Sequence, residues 1–253
     1  MMSGRLGNIL SGHSPLAVLV SGGCDSEVLL RAAVRTLGPD NVLALTARTP
    51  FLPALALRRA QDLAESLKTP HRTLEINLMV NPHIANNTPL RCYHCKKLIY
   101  TAAGQEARAW GTTHLADGTN LDDTREHRPG LMAAKEENIL HPLALAGITK
   151  REVRNLGEAL GMRDPERPAD SCLATRLQEN NPVTPELLEL VERMESPLKH
   201  LVRGRFRAVI ANGAITVQFQ ESDLCTVLSH RARMRDLAEA AGFRLKGFPD
   251  DGE

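Results

Sequence analysis

The chain has 253 residues, 42% of them hydrophobic and 24% charged, the balance of a globular protein and not of a disordered one. Its 31 Lys and Arg against 30 Asp and Glu leave a formal net charge of +1, which excludes a global field for nucleic acid. No apolar run nears the roughly 18 residues of a membrane span, and no signal arrangement opens the sequence, so a cytoplasmic protein without membrane contact is expected.

Residues 16–20, Leu-Ala-Val-Leu-Val, predict a strand that leads through Ser-Gly-Gly-Cys-Asp-Ser into a helix at 26–37, stopped by Gly38-Pro39. Residues 41–46 predict a second strand. After Pro53 an amphipathic segment reaches residue 68, with Leu57, Ala60, Leu63, Ala64 and Leu67 on one face. A third strand is expected at 73–76, an Asn- and Pro-rich loop at 81–91, an Ala-rich helix at 96–110 and a fourth strand at 113–116. Such repetition of strand and helix implies parallel pairing with right-handed crossovers. The polar stretch 117–130 then falls beyond a strand C-terminus, where open parallel sheets carry functional loops.

Thr149 with Glu152 three residues on is a capping-box signature for a helix that Gly161 ends. Residues 164–181 form a loop rich in Pro, Asp and Asn, after which the composition changes. A helix at 186–194, strands at 206–210 and 215–219 joined through Asn212-Gly213, and a helix at 224–241 make a smaller module. The expected organisation is an α/β domain over 1–181, an open parallel sheet with helices on both faces, and a small α+β substrate or oligomerisation module over 182–253.

The glycines at 22 and 23 let backbone approach an anion, and the helix N-terminus behind them points amides at it, with Ser21 and Ser26 adding hydroxyls. A bare Gly-Gly is equally a tight turn. Asp25 is out of place beside phosphate unless it meets Mg²⁺ or orients the nucleotide. No Gly-Lys-Ser/Thr follows, which excludes a Walker A loop.

The five cysteines are not a disulfide framework in a reducing compartment, so spacing carries their information. Cys92 and Cys95 form a C-x-x-C that one metal can bridge. Zinc would need further ligands, such as Cys172 with His94 or His141. Three thiolates would instead leave one iron of a cluster open. Two unrelated thiols and a buried Cys172 remain a third reading. Cys92 and Cys95 are expected in one polar loop and Cys172 in another, beside Arg91 and Arg176, surroundings that favour thiolate. Cys24 and Cys225 read as non-catalytic.

The S-G-G-x-D-S stretch resembles the PP-loop of the N-type ATP pyrophosphatases, with an adenine nucleotide alpha-hydrolase-like fold. That resemblance implies ATP and Mg²⁺ as cofactors, held by Ser21, Gly22, Gly23, Asp25 and Ser26. It places adenine near Thr46, Ala47 and Gly118, with Asp25 acting in catalysis. The stretches RCYHCKK (91–97), DGTNLDDTREHRPGL (117–131), HPLALAGITKREVRNLGEALGM (141–162) and RPADSCLATR (167–176) together resemble the LarE family. These are ATP-dependent sulfurtransferases of nickel-pincer nucleotide cofactor biosynthesis.

The resemblance implies adenylation of a carboxylate of pyridinium-3,5-biscarboxylic acid mononucleotide, or a relative, and replacement of AMP by sulfur. It further implies a [4Fe-4S] cluster on Cys92, Cys95 and Cys172, refilled from a sulfide source outside the chain. Zinc is the alternative metal, and in another branch of the family the counterpart of Cys172 is a sacrificial sulfur donor. Arg176, Arg205 and Arg207 are candidates for the substrate phosphate, although Arg205 and Arg207 also suit a solvated strand face. Asp122 and Asp123 are candidate Mg²⁺ ligands or merely solvated. After Arg176 the likeness weakens: Leu177 to Thr184 lacks the family's aromatic-glycine loop, and the ending after Gly242 is shorter. Self-association into a homo-oligomer is expected. A tRNA thiolase shares the PP-loop and three cysteines but needs a basic surface, against which the net charge counts. A nucleotide- or zinc-binding protein without activity is the remaining alternative.

Overall fold

The computed structural model describes residues 4–125, 129–168 and 171–248. In chain order the first elements are α1 (Gly4–Ser11), β1 (Leu16–Leu19), α2 (Cys24–Leu37), β2 (Val42–Arg48), α3 (Ala54–Ser66) and β3 (His71–Glu75). There follow α4 (Pro82–Ala85), α5 (Arg91–Trp110), β4 (Leu115–Ala116), α6 (Pro129–Glu136), α7 (Pro142–Leu145) and α8 (Lys150–Ala159). The remaining elements are α9 (Pro185–Glu195), β5 (Arg207–Ala211), β6 (Ala214–Gln218), α10 (Leu224–Leu228), α11 (Arg231–Ala240) and β7 (Arg244–Lys246). No described helix is long and apolar enough to cross a membrane.

Two compact units emerge, one of Met1–Leu78 with Leu90–Arg167, the other of Met79–Pro89 with Pro168–Glu253. The second therefore starts earlier than the composition change near Asn181 suggests. Local bonding is the reason: Gln178 N donates to Ile210 O, and Asn87 Nδ2 donates to the carbonyls of Leu177 and Gln178. These bonds tie both the 171–181 loop and the short α4 segment to the smaller sheet.

In the first unit the sheet order is β3-β2-β1-β4, and every pair is parallel. Alternate residues of a strand face opposite sides, and here both sides are buried. Leu16 and Val18 join Leu6, Leu10, Val28 and Val153 in one core, while Ala17 joins Leu43, Tyr100, Ala103 and Ala133 in the other. Helices on both faces of a parallel sheet are the architecture that strand-helix alternation predicts. In the second unit α9 and α11 pack on a three-stranded sheet, β5-β6-β7. Its hairpin turns at Asn212 and Gly213, both at positive φ (50° and 70°), as an Asn-Gly turn requires.

Three local expectations differ. Helix α5 begins at Arg91, not near 96, so the C-x-x-C lies on a helix and not in a polar loop. Cys, Tyr and His are indifferent helix formers, but His94 N donates to Leu90 O, and Tyr93 packs against the second core. The helix expected at 224–241 is two, broken at Ser229, whose Oγ donates to Thr226 O at 2.7 Å. Beyond it, β7 adds a parallel strand beside β6.

Candidate functional site

The glycine loop connects β1 to α2 at the C-terminal end of the sheet. Gly22 has φ +72°, and a Cβ there would collide with the Ala56 carbonyl of α3, so glycine is required. Gly23 is the N-cap of α2 and supplies no side-chain cap. The first amides of a helix have no intrahelical partner, which suits this turn to an anion. Ser26, 5% exposed, accepts from Ser21 N at 3.2 Å and donates to Gly23 O at 3.0 Å. Its hydroxyl therefore shapes the loop from within. Gly118, just past β4, closes the opposite wall: a Cβ would lie 2.7 Å from Ser26 N.

Two cations converge on this loop from distant parts of the sequence. Lys150 Nζ lies 2.5 Å from Asp25 Oδ2, and Asn120 Nδ2 donates to Asp25 Oδ1 at 3.3 Å. Arg167 pairs with Glu27 at 2.9 Å and donates to Gly22 O at 3.1 Å. Lys150 is placed by its own backbone. Thr149 and Glu152 form the expected capping box of α8, and Asp122 Oδ2 accepts from Lys150 N at 2.8 Å. Asp123 in turn accepts from Asn120 N at 3.1 Å. Both loop carboxylates thus hold backbone amides, and Asp122 acts on the site by positioning Lys150. Sequence reasoning missed Lys150, Arg167 and Asn120; the one local signal was the place of Lys150 directly after the capping threonine.

Cys92 is exposed and Cys95 half-buried on the first turn of α5, a spacing that puts both thiols on one helix face. Arg91 Nη2 lies 3.6 Å from Cys92 Sγ, the neighbour expected of it. In the second unit the half-buried Cys172 precedes a turn at Leu173–Arg176. Arg176 Nη1 donates to the Ser171 and Cys172 carbonyls and to the hydroxyls of Ser171 and Thr175. Its other nitrogens meet both carboxylate oxygens of Glu195 at 2.8 and 2.9 Å. Cys24 is buried against Met162 and Pro165, and burial pushes its thiol up from the ordinary value, as suits a packing residue.

The chain is 35% identical over 210 residues to an uncharacterized protein of Synechocystis, covering 82% of this chain and 78% of that one. It is 28% identical over 229 residues to the pyridinium-3,5-bisthiocarboxylic acid mononucleotide synthase of Lactiplantibacillus plantarum, covering 90% of this chain and 83% of the relative. The chain belongs to the LarE family. A tRNA-specific 2-thiouridylase of Rickettsia rickettsii is 26% identical over 199 residues, 64% of this chain and 54% of the relative. No family model matches the chain. The parallel sheet and its glycine loop are those of the α/β PP-loop fold to which the LarE family belongs.

Against the residues this family suggests, the structure is selective. Ser21, Gly22, Gly23, Asp25, Ser26 and Gly118 do assemble around one loop. Thr46 is fully buried, and its hydroxyl is spent on Val20 O at 3.0 Å and His71 Nε2 at 2.9 Å. It joins strands and has no hydroxyl to spare for the adenine contact expected of it, while Ala47 beside it is half-buried. Burial also lowers the His71 pKa, favouring neutral imidazole. Arg176 is 2% exposed and committed to Glu195, so it organises the Cys172 turn where a substrate-phosphate contact was expected. Arg205 is exposed and Arg207 half-buried around the core residue Phe206, and Arg207 Nη2 donates to Ser171 Oγ at 2.7 Å. His141 Nδ1 donates to Asp117 Oδ1 at 2.7 Å. Among the described residues no three His, Cys, Asp or Glu side chains gather as a metal site.

Proposed function

We propose that the chain is an ATP-dependent sulfurtransferase that activates a carboxylate of a small pyridinium mononucleotide as its adenylate and replaces AMP with sulfur. The observation that carries this reading is the uncapped glycine loop with Lys150 beside it, in a chain similar over most of its length to a bisthiocarboxylic acid mononucleotide synthase. The amides at the start of α2 and Lys150 would receive the β and γ phosphates. Lys150 and Asp25 retain 33% and 26% side-chain exposure, and pairs at that exposure are worth about 1 kcal/mol or less. A triphosphate, carrying several charges and charge-assisted acceptors, outcompetes one such carboxylate for the ammonium. Lys150 then neutralises charge on the departing pyrophosphate as a substrate carboxylate oxygen attacks the α phosphorus.

That exchange frees Asp25, a hard oxygen ligand at the phosphates, which fits Mg²⁺ better than Asp122 or Asp123, both engaged by backbone amides. A [4Fe-4S] cluster on Cys92, Cys95 and Cys172 would supply a replaceable sulfide nucleophile, with zinc on the same thiols, or Cys172 as a consumed donor, as the alternatives. The shared helix turn of Cys92 and Cys95 fits two ligands of one centre.

Protein purified without oxygen is expected to carry about four iron and four sulfide per chain and to absorb near roughly 400 nm. Replacing Cys92, Cys95 or Cys172 by Ala, one at a time, should remove the same centre each time. A centre that survives any one replacement rules out a single three-thiol site. Asp25→Ala should end pyrophosphate release while the protein stays folded. The similarity to a 2-thiouridylase favours tRNA as a second acceptor to test; strongly salt-dependent tRNA retention would replace the small-molecule reading.

A further inference from the structure

Within the first unit one buried carboxylate gathers four donors. Asp117 is 5% exposed. Its Oδ2 accepts from Tyr100 Oη at 2.6 Å and lies 3.7 Å from Lys96 Nζ; its Oδ1 accepts from His141 Nδ1 at 2.7 Å and Thr119 N at 3.0 Å. Lys96 also stands 5.0 Å from the centre of the Tyr100 ring. Burial opposes the carboxylate charge, but the bond from His141, the charge of Lys96 and the Tyr100 hydroxyl outweigh it and hold the pKa below the ordinary range. A polar network satisfied in this way is rigid.

Chain neighbours give the network its meaning. Lys96 and Tyr100 stand on α5, with Lys96 directly after Cys95. Gly118, directly after Asp117, is the residue whose backbone abuts Ser26 N in the glycine loop. We propose that Asp117 is a positioning residue that holds the C-x-x-C turn of α5 in register with the phosphate loop, through Tyr100 and Lys96 on the helix and Gly118 at the loop. Its purpose rests on the sulfur-transfer reading: a nucleophile must reach within about 3.5 Å of its electrophile, and a misplacement near 1 Å costs on the order of 100-fold in rate. The same helix carries a contrast, since Lys97 pairs with Glu136 and Glu137 at the surface, where such contacts impose little.

The test uses Tyr100→Phe, which removes the helix-side hydrogen bond and leaves the loop residues intact. In a Cys92→Ser background without metal, alkylation of Cys95 by iodoacetamide should accelerate on the order of tenfold, the weight of one hydrogen bond to a buried charge. ATP affinity, read by calorimetry, should not change. In the otherwise native chain, sulfur transfer should lose kcat while KM for ATP is retained. Asp117→Asn should reproduce the alkylation effect, and Lys96→Gln, changed from the solvent side, should show it in part. Native alkylation rates in both Tyr100→Phe and Asp117→Asn overturn the inference. If alkylation responds but the native protein transfers no sulfur to any carboxylate, the positioning role stands and the proposed reaction falls.

Discussion

The ion pair at the glycine loop and the ion pair under the Cys172 turn are built in opposite ways. Lys150 and Asp25 keep 33% and 26% exposure, whereas Arg176 and Glu195 keep 2% and 0%. The buried pair is also saturated: Glu195 accepts from Ala208 N at 3.0 Å, and Arg176 spends its remaining nitrogen on the 171–175 backbone and hydroxyls. A half-exposed pair can be exchanged for a ligand at little cost. A buried, saturated one cannot be opened without leaving a charge uncompensated. Two basic residues that look alike in sequence thus stand in different states, Lys150 in a pair open to exchange and Arg176 locked into the architecture.

Breaking the buried pair should give the largest stability effect. Arg176→Met leaves Glu195 charged in the core, and urea unfolding is expected to show a loss of about 3–5 kcal/mol; a loss below about 1 kcal/mol would mean that the pair is not locked. Next comes Gly22→Ala, which forces a side chain into left-handed backbone against Ala56. It should cost about 1–3 kcal/mol and abolish ATP binding by calorimetry. Acid unfolding sharpens the contrast further. Asp117, with its pKa held below the ordinary 3.8, contributes stability that is complete above that value and is lost as pH falls through the folded one. In Asp117→Asn, unfolding curves between about pH 4 and pH 2 should be flatter than those of the native chain.

Smaller still is Thr149→Ala, which removes the α8 cap and should cost about 1 kcal/mol by thermal unfolding. Lys150→Met should change stability by roughly 0.5 kcal/mol or less, yet pyrophosphate release should fall on the order of 100-fold. The smallest stability effect in this series therefore accompanies a large activity effect. A Lys150→Met chain that releases pyrophosphate normally would remove the distinction between the two pairs.

Much of this was legible because it is local. The unbroken apolar run 16–20 predicts a strand, which the structure buries on both faces, Thr149 and Glu152 cap the helix they mark, and Asn212-Gly213 makes its hairpin. What was illegible depends on residues far apart. Helix α1 was missed because its apolar pattern is short, Leu6, Ile9 and Leu10 among glycines and polar residues, and the burial of Leu6 and Leu10 comes with packing on α2 and α7. The start of α5 was placed too late because Cys-Tyr-His-Cys has no helical preference of its own. The smaller unit was drawn too short because the bonds from Asn87 to Leu177 and Gln178 cross the chain.

By itself the sequence determined the class of fold, the glycine loop and the family, since each depends on periodicity or on consecutive residues such as Ser21 to Ser26. Only tertiary structure decided which charges serve that loop. Lys150 reaches Asp25 across 125 residues and Arg167 reaches Gly22 across 145, and Thr46, Asp122 and Arg176 are drawn into structural bonds. The physical reason is that exposure and partners set the chemistry of a charged or polar side chain, and both are properties of the packed chain.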